Sequence, residues 1–174
     1  MKKIAFLFLV AACAAATSCK DKDNDNRYMD NQTFVTEGSS SNQFEIQAGA
    51  LASARASNAD VKAFGAHMVS DHSAVGQEMT TLVQQKGWMM PTALLQKHQA
   101  KVDSLSALNG AEFDKKFMDM MVLSHREAID LFDRASDDND GVADQDLRNF
   151  AGNKLPALRM HLDHATTLRG QVQR

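Results

Sequence analysis

The chain has 174 residues, 44% of them hydrophobic, which suits a single domain with its own core. Aromatic residues make up only 6%, and Ala, Leu and ten Met fill the apolar positions, so helices are favoured over strands. A formal net charge of −3 with no basic stripe argues against a nucleic-acid-binding surface.

The first segment reads as an address. Lys2 and Lys3 precede the apolar run Ile4–Ala16, the layout of a secretory signal peptide over residues 1–18 and too short for a comfortable membrane-spanning helix. Ala16-Thr17-Ser18-Cys19 resembles the lipoprotein signal-peptidase box, with Ala16 where Leu is usual, so Cys19 is the expected lipidated residue. Ordinary cleavage after a small residue would instead leave Cys19 a free thiol. Acyl chains on Cys19 would anchor the protein to a membrane. Lys20 in the second mature position lacks the usual inner-membrane retention signal, which favours the outer membrane. Lys20–Asn26 resembles the acidic tag of some surface-exposed lipoproteins, and the same composition makes a solvated tether over residues 19–32. Cys13 and Cys19 are the two cysteines of the chain, so the domain beyond them is expected to be held by its core, without a disulfide.

From Phe34 onward, apolar residues recur at helical spacing. A first helix centres on Phe44, Ala48 and Leu51, with Gly38-Ser39-Ser40-Ser41 interrupting the pattern where it should begin. Ser57 or Asn58 caps a second helix with the stripe Val61, Phe64, Met68, His72, Val75, Met79, Leu82, ending at Gly87. Pro91 and Thr92 open a shorter helix that turns Leu94, Leu95, His98, Val102 and Leu105 inward. Asn109 and Glu112 pair as an N-terminal cap for a fourth helix through Phe113, Phe117, Met121 and Ala128. A polar turn over 136–143 leads to a last helix from about Asp144 to Val172, which Pro156 is expected to bend or to shift in its packing. The expected fold is all-α, an antiparallel bundle of four long helices with one extra short helix.

The histidines carry the chemistry. His72, His125 and His161 each sit toward the bundle axis on a different long helix, and Glu45 shares the inward face of the first. One polar side chain from each of four helices is how bundle-core metal sites are built, and three His with one carboxylate suit Zn²⁺, Cu²⁺ or Fe²⁺. A buried His–Glu hydrogen-bond network has the same pattern, so both readings stay open. Asp71 and His164 are placed to support such a site from its edge; His67 reads as solvent-facing and His98 as structural. The run Ser136–Gly141 fails as a calcium loop, because Ser136 and Leu147 stand where acidic ligands belong. Met118, Met120 and Met121 read as core filler rather than a Cu(I) site. No nucleophile elbow or phosphate loop accompanies the histidines, which argues against an enzyme.

Phe44-Glu45-Ile46, Leu51-Ala52, Asn58–Gly65, Met68–His72, Gly110–Asp114, Met121–His125, Leu155-Pro156 and His161-Leu162 together resemble the domain of unknown function 4142 family, over about residues 33–170. The resemblance implies a ferritin-like fold and a predicted outer-membrane protein, and makes Glu45, Asp71, His72, His125 and His161 family-typical polar positions without giving them a role. It departs from true ferritins, since no Glu-x-x-His pair for two irons is present. It also departs from the family, whose usual Ala-Ala-Gly-Gly stretch is replaced by Glu37–Ser41. Two functions compete: a metal-binding envelope lipoprotein, and a non-catalytic structural or interaction module with core histidines.

Overall fold

The computed structural model describes residues 28–174. The expected signal peptide, Cys19 and most of the tether lie outside the described residues. Among the described residues there are five helices: α1 (Asn31–Arg55), α2 (Ala59–Lys86), α3 (Gln96–Ser106), α4 (Gly110–Ala135) and α5 (Gln145–Val172). Among the described residues there is no extended sheet, and no helix is long and apolar enough to cross a membrane.

Local chemistry sets the helix ends. Asp30, Asn58 and Asp144 accept backbone N–H groups of the first turns of α1, α2 and α5, satisfying donors that have no intrahelical partner. Gly87 closes α2 in the left-handed region at φ 69°, a conformation glycine takes without a Cβ penalty. The expected cap of α4 is corrected. Asn109 makes no side-chain cap bond; its Oδ1 accepts instead from Arg55 Nη1 at 3.1 Å, and Gly110 follows at φ 62°. The short helix also begins later than Pro91 suggests, at Gln96. The segment before it spends its polar groups on α1: Gln32 exchanges two hydrogen bonds with the Met89 backbone, at 2.7 and 3.0 Å, and Leu95 N–H donates to Ser40 Oγ at 2.8 Å.

Those long-range bonds fix the topology. Met89, just after α2, lies beside the start of α1. Arg55, at the end of α1, bonds the Leu108 carbonyl at 3.3 Å and so sits beside the start of α4. Asp144, at the start of α5, bonds both Asn31 and Lys86. Helices α1 and α5 therefore run one way and α2 and α4 the other, so the two hairpins α1/α2 and α4/α5 are joined by one long crossover that carries α3. The four long helices form a ring in which every neighbour is antiparallel.

Gly38–Ser41 does not interrupt α1. All four residues are buried within it, because Met79 and Phe132 pack onto Gly38 and Ser40 anchors the crossover. Having accepted the Leu95 N–H, the Ser40 hydroxyl donates to His98 Nδ1 at 2.7 Å, confirming a structural role for His98. Burial, aided by Lys97 and Lys101, lowers the His98 pKa from 6.5 to about 4. The folded state thus prefers neutral His98, and its contribution is present above the unfolded pKa and lost as pH falls toward 4. Stability of the wild type is expected to decline as pH drops from 6.5 to 4, and less steeply in His98→Gln; urea titrations across that range measure both slopes.

Asp114 joins the two hairpins. It is buried, and its carboxylate accepts from Ser57 N–H at 3.0 Å, Asn58 N–H at 3.0 Å and the Ser57 hydroxyl. These bonds tie the α1–α2 corner to the N-terminal part of α4. Asp114→Ala leaves two backbone donors without their acceptor and is expected to cost about 2 kcal/mol, read as a lower urea midpoint with Asp114→Asn in between.

The core is divided. One apolar cluster gathers Phe44, Phe64, Met68, Phe113, Phe117, Met118 and Met121; the other gathers Phe34, Met79, Phe132, Leu147 and Phe150. The methionine group is core packing, as its composition suggests. Between the clusters lies a polar layer made of Glu45, His72, Ser124, His125 and His161.

Candidate metal centre

Each long helix delivers one member of this layer: Glu45 from α1, His72 from α2, His125 from α4 and His161 from α5, with exposures of 2%, 5%, 0% and 4%. The three imidazoles form a nearly equilateral triangle, with ring centres 5.8, 5.6 and 5.4 Å apart. One nitrogen from each lies within 4.8 Å of the other two. A metal about 2.1 Å from three imidazole nitrogens places ring centres roughly 5.2–5.5 Å apart. The observed triangle is close to that size.

The partners of the outer nitrogens set the tautomer of each ring when it is neutral. His125 Nδ1 donates to the Met121 carbonyl at 2.8 Å. His161 Nε2 donates to the Asp71 carboxylate at 3.1 Å. His72 Nδ1 meets Asn42 Oδ1 at 2.9 Å, and the amide is oriented by its own Nδ2, which donates to the His72 carbonyl at 2.8 Å. All three outer partners are acceptors, so each outer nitrogen carries a hydrogen, and in a neutral ring the inner nitrogen is then the one with the lone pair. Those inner atoms, His72 Nε2, His125 Nε2 and His161 Nδ1, are buried with no hydrogen-bond partner. This is the outer-shell arrangement that orients metal-ligating histidines.

Electrostatics point the same way. Burial first, then the neighbouring His125 and His161, lowers the His72 pKa to about 3, and burial also lowers that of His161. Both rings are neutral at pH 7, the form a metal needs. Glu45 has both carboxyl oxygens buried and unpartnered; Oε1 is 3.8 Å from His125 Nδ1. Burial raises the Glu45 pKa, against the pull of His125. The layer therefore contains three buried inner nitrogens and an acid group, none of which has a hydrogen-bond partner.

Glu45 faces the site rather than joining the tight triangle. It lines a cavity of about 280 Å³ together with Asn42, Asp71, His72, Leu158 and His161. His164, the other residue expected at the edge, is exposed and packs its ring against Phe64 at 5.1 Å. Two participants escaped the sequence reading. Asn42 lies in the stretch of α1 whose register the small residues obscure. His67, expected in solvent, is half-exposed but stands 5.5 Å from the His161 ring.

A family described as "Domain of unknown function (DUF4142)" matches residues 14–168. The chain belongs to the DUF4142 family. No curated protein and no solved structure matches it. Membership covers all five helices up to Leu168 and so includes every residue of the triangle, and it assigns the DUF4142 domain no activity.

Proposed function

We propose that this DUF4142 protein is an exported envelope lipoprotein whose bundle binds one divalent transition-metal ion, Zn²⁺, Cu²⁺ or Fe²⁺, on His72, His125 and His161. The observation that carries the reading is the set of three buried inner nitrogens, each with a lone pair fixed by an acceptor on the opposite side of its ring. A structural network of core histidines would pair these nitrogens with donors, as Ser40 does for His98. Here no donor meets them, and leaving three buried ring nitrogens unpaired costs free energy that a cation between the rings would offset.

Glu45 supplies the balancing charge. With an ion in the triangle its carboxyl is expected to ionise, and it borders the coordination position that three histidines leave open toward the cavity. The one-crossover connectivity is that of ferritin-like bundles, which also build metal sites from facing helices. The absence of any Glu-x-x-His pair points to a single ion in the core rather than a ferritin-type pair of irons. A role in metal handling at the envelope follows, with Cys19 as the anchor to the outer membrane.

Elemental analysis of the purified domain tests the site. At least one equivalent of metal is expected, and the core equivalent is lost in His72→Ala and His125→Ala. A folded wild type that retains no metal and gains no thermal stability from any of the three ions would overturn the reading. Incorporation of labelled fatty acid, abolished by Cys19→Ser, tests the anchor separately.

A further inference from the structure

Three histidine nitrogens converge in the core, but the polar chain does not end there. The outer nitrogen of His161 bonds Asp71 Oδ2 at 3.1 Å, and the same oxygen lies 3.3 Å from His67 Nε2. His67 and Asp71 are spaced four residues apart on α2, so both project from one face toward α5. The His67 and Asp71 side chains are 48% and 36% exposed, whereas His161 is buried. One ligand atom from each of His67, Asp71 and His161 lies within 4.8 Å of the others. Two imidazoles and a carboxylate oxygen make a ligand set typical of divalent transition metals.

We infer that the domain holds a second divalent metal ion at its surface, on His67, Asp71 and His161, and that the His161 ring bridges it to the buried ion. This rests on the three-histidine reading above. The inner nitrogen of His161 serves the core triangle and the outer nitrogen serves the surface group, which puts the two ions roughly 6 Å apart at ordinary metal–nitrogen distances. Binding the second ion breaks the His161 Nε2–H bond and forms a metal–Nε2 bond. The proton leaves to solvent, and Asp71 changes from hydrogen-bond acceptor to ligand. The negative charges of Asp71 and of the bridging ring offset the added cation. The other two core histidines offer no such branch, since His72 is tied to Asn42 and His125 to a buried backbone carbonyl.

Cu²⁺ is the probe that separates the outcomes. Metal-free wild type and His67→Ala would be loaded with excess Cu²⁺ and desalted, and bound copper would be counted alongside the electron paramagnetic resonance spin count. His67 is half-exposed, so its loss leaves the fold intact, which far-ultraviolet circular dichroism checks. The wild type is expected to hold two equivalents with a spin count well below two, because a bridging imidazolate couples the ions. His67→Ala is expected to hold one equivalent with a full spin. One equivalent in both proteins, or two fully separate spins in the wild type, overturns the bridged site and leaves the core reading standing. No copper in either protein overturns the bridged site, and the core reading falls with it when Zn²⁺ and Fe²⁺ also give the wild type no thermal stability.

Discussion

At a thousandfold excess over its dissociation constant, the preferred metal is expected to raise the unfolding free energy by about 4 kcal/mol. The gain arises because the folded bundle pre-assembles three imidazoles that the unfolded chain does not hold together. It is expected to vanish in His125→Ala, whose ring lies deepest, with no solvent exposure. The same variant loses packing, so its metal-free stability must be measured as well. A variant that melts lower yet still gains the full increment on adding metal would remove His125 from the site. Asn42→Ala makes a gentler companion. It leaves all three ligands in place and frees His72 to rotate, so a 10–100-fold loss of affinity is expected with the stoichiometry unchanged.

Gly65→Ala is expected to destabilise the domain by about 3 kcal/mol, against a helix-propensity gain of about 1 kcal/mol. Sterics win because α1 and α2 meet backbone to backbone. A Cβ on Gly65 would lie 2.6 Å from the Ala52 Cβ and 2.8 Å from the Gly49 carbonyl oxygen, and a Cβ on Gly49 would lie 2.5 Å from the Gly65 carbonyl. None of these is the end of a flexible side chain, so the helices themselves must part. Ala52→Gly in the same chain is expected to restore part of the loss, since it removes the nearest of these atoms. A double-mutant cycle by urea denaturation measures the coupling, and simple additivity of the two changes would refute the contact. The site feels the same displacement. Asn42 and His72 sit on these two helices within two turns of the glycine crossing, so metal affinity is expected to fall in Gly65→Ala and recover with Ala52→Gly.

The inward residues were legible because helical periodicity is a local property. The 3- and 4-residue steps of the α2 stripe placed His72 inward, and the same counting placed His125 and His161. What periodicity could not supply was distance between helices. The triangle of rings depends on how far each helix slides along its neighbours, which the Gly49–Gly65 contact and the Asp114 corner fix through atoms far apart in the chain. The start of α1 was hidden for a related reason. Gly38–Ser41 looks like a loop by composition, yet it is buried because small side chains let Met79, Phe132 and the crossover approach. The cap of α4 failed because Arg55, more than fifty residues away, takes the Asn109 side chain. His67 was read from its own helix alone, where it does face outward, and its partner on α5 could not be seen.

The polar layer has a further consequence for how the domain comes apart. Two apolar clusters separated by groups that attract one another weakly can lose their packing independently, so the metal-free protein is expected to behave as two weakly coupled folding units. Amide hydrogens around Phe113 and Phe117 would then exchange with one opening free energy, and those around Phe132 and Phe150 with another. An ion held on His72, His125 and His161 would sit at the boundary between those units and link them. Metal binding would therefore make the ends of the bundle open together, in one cooperative transition that spans its full length.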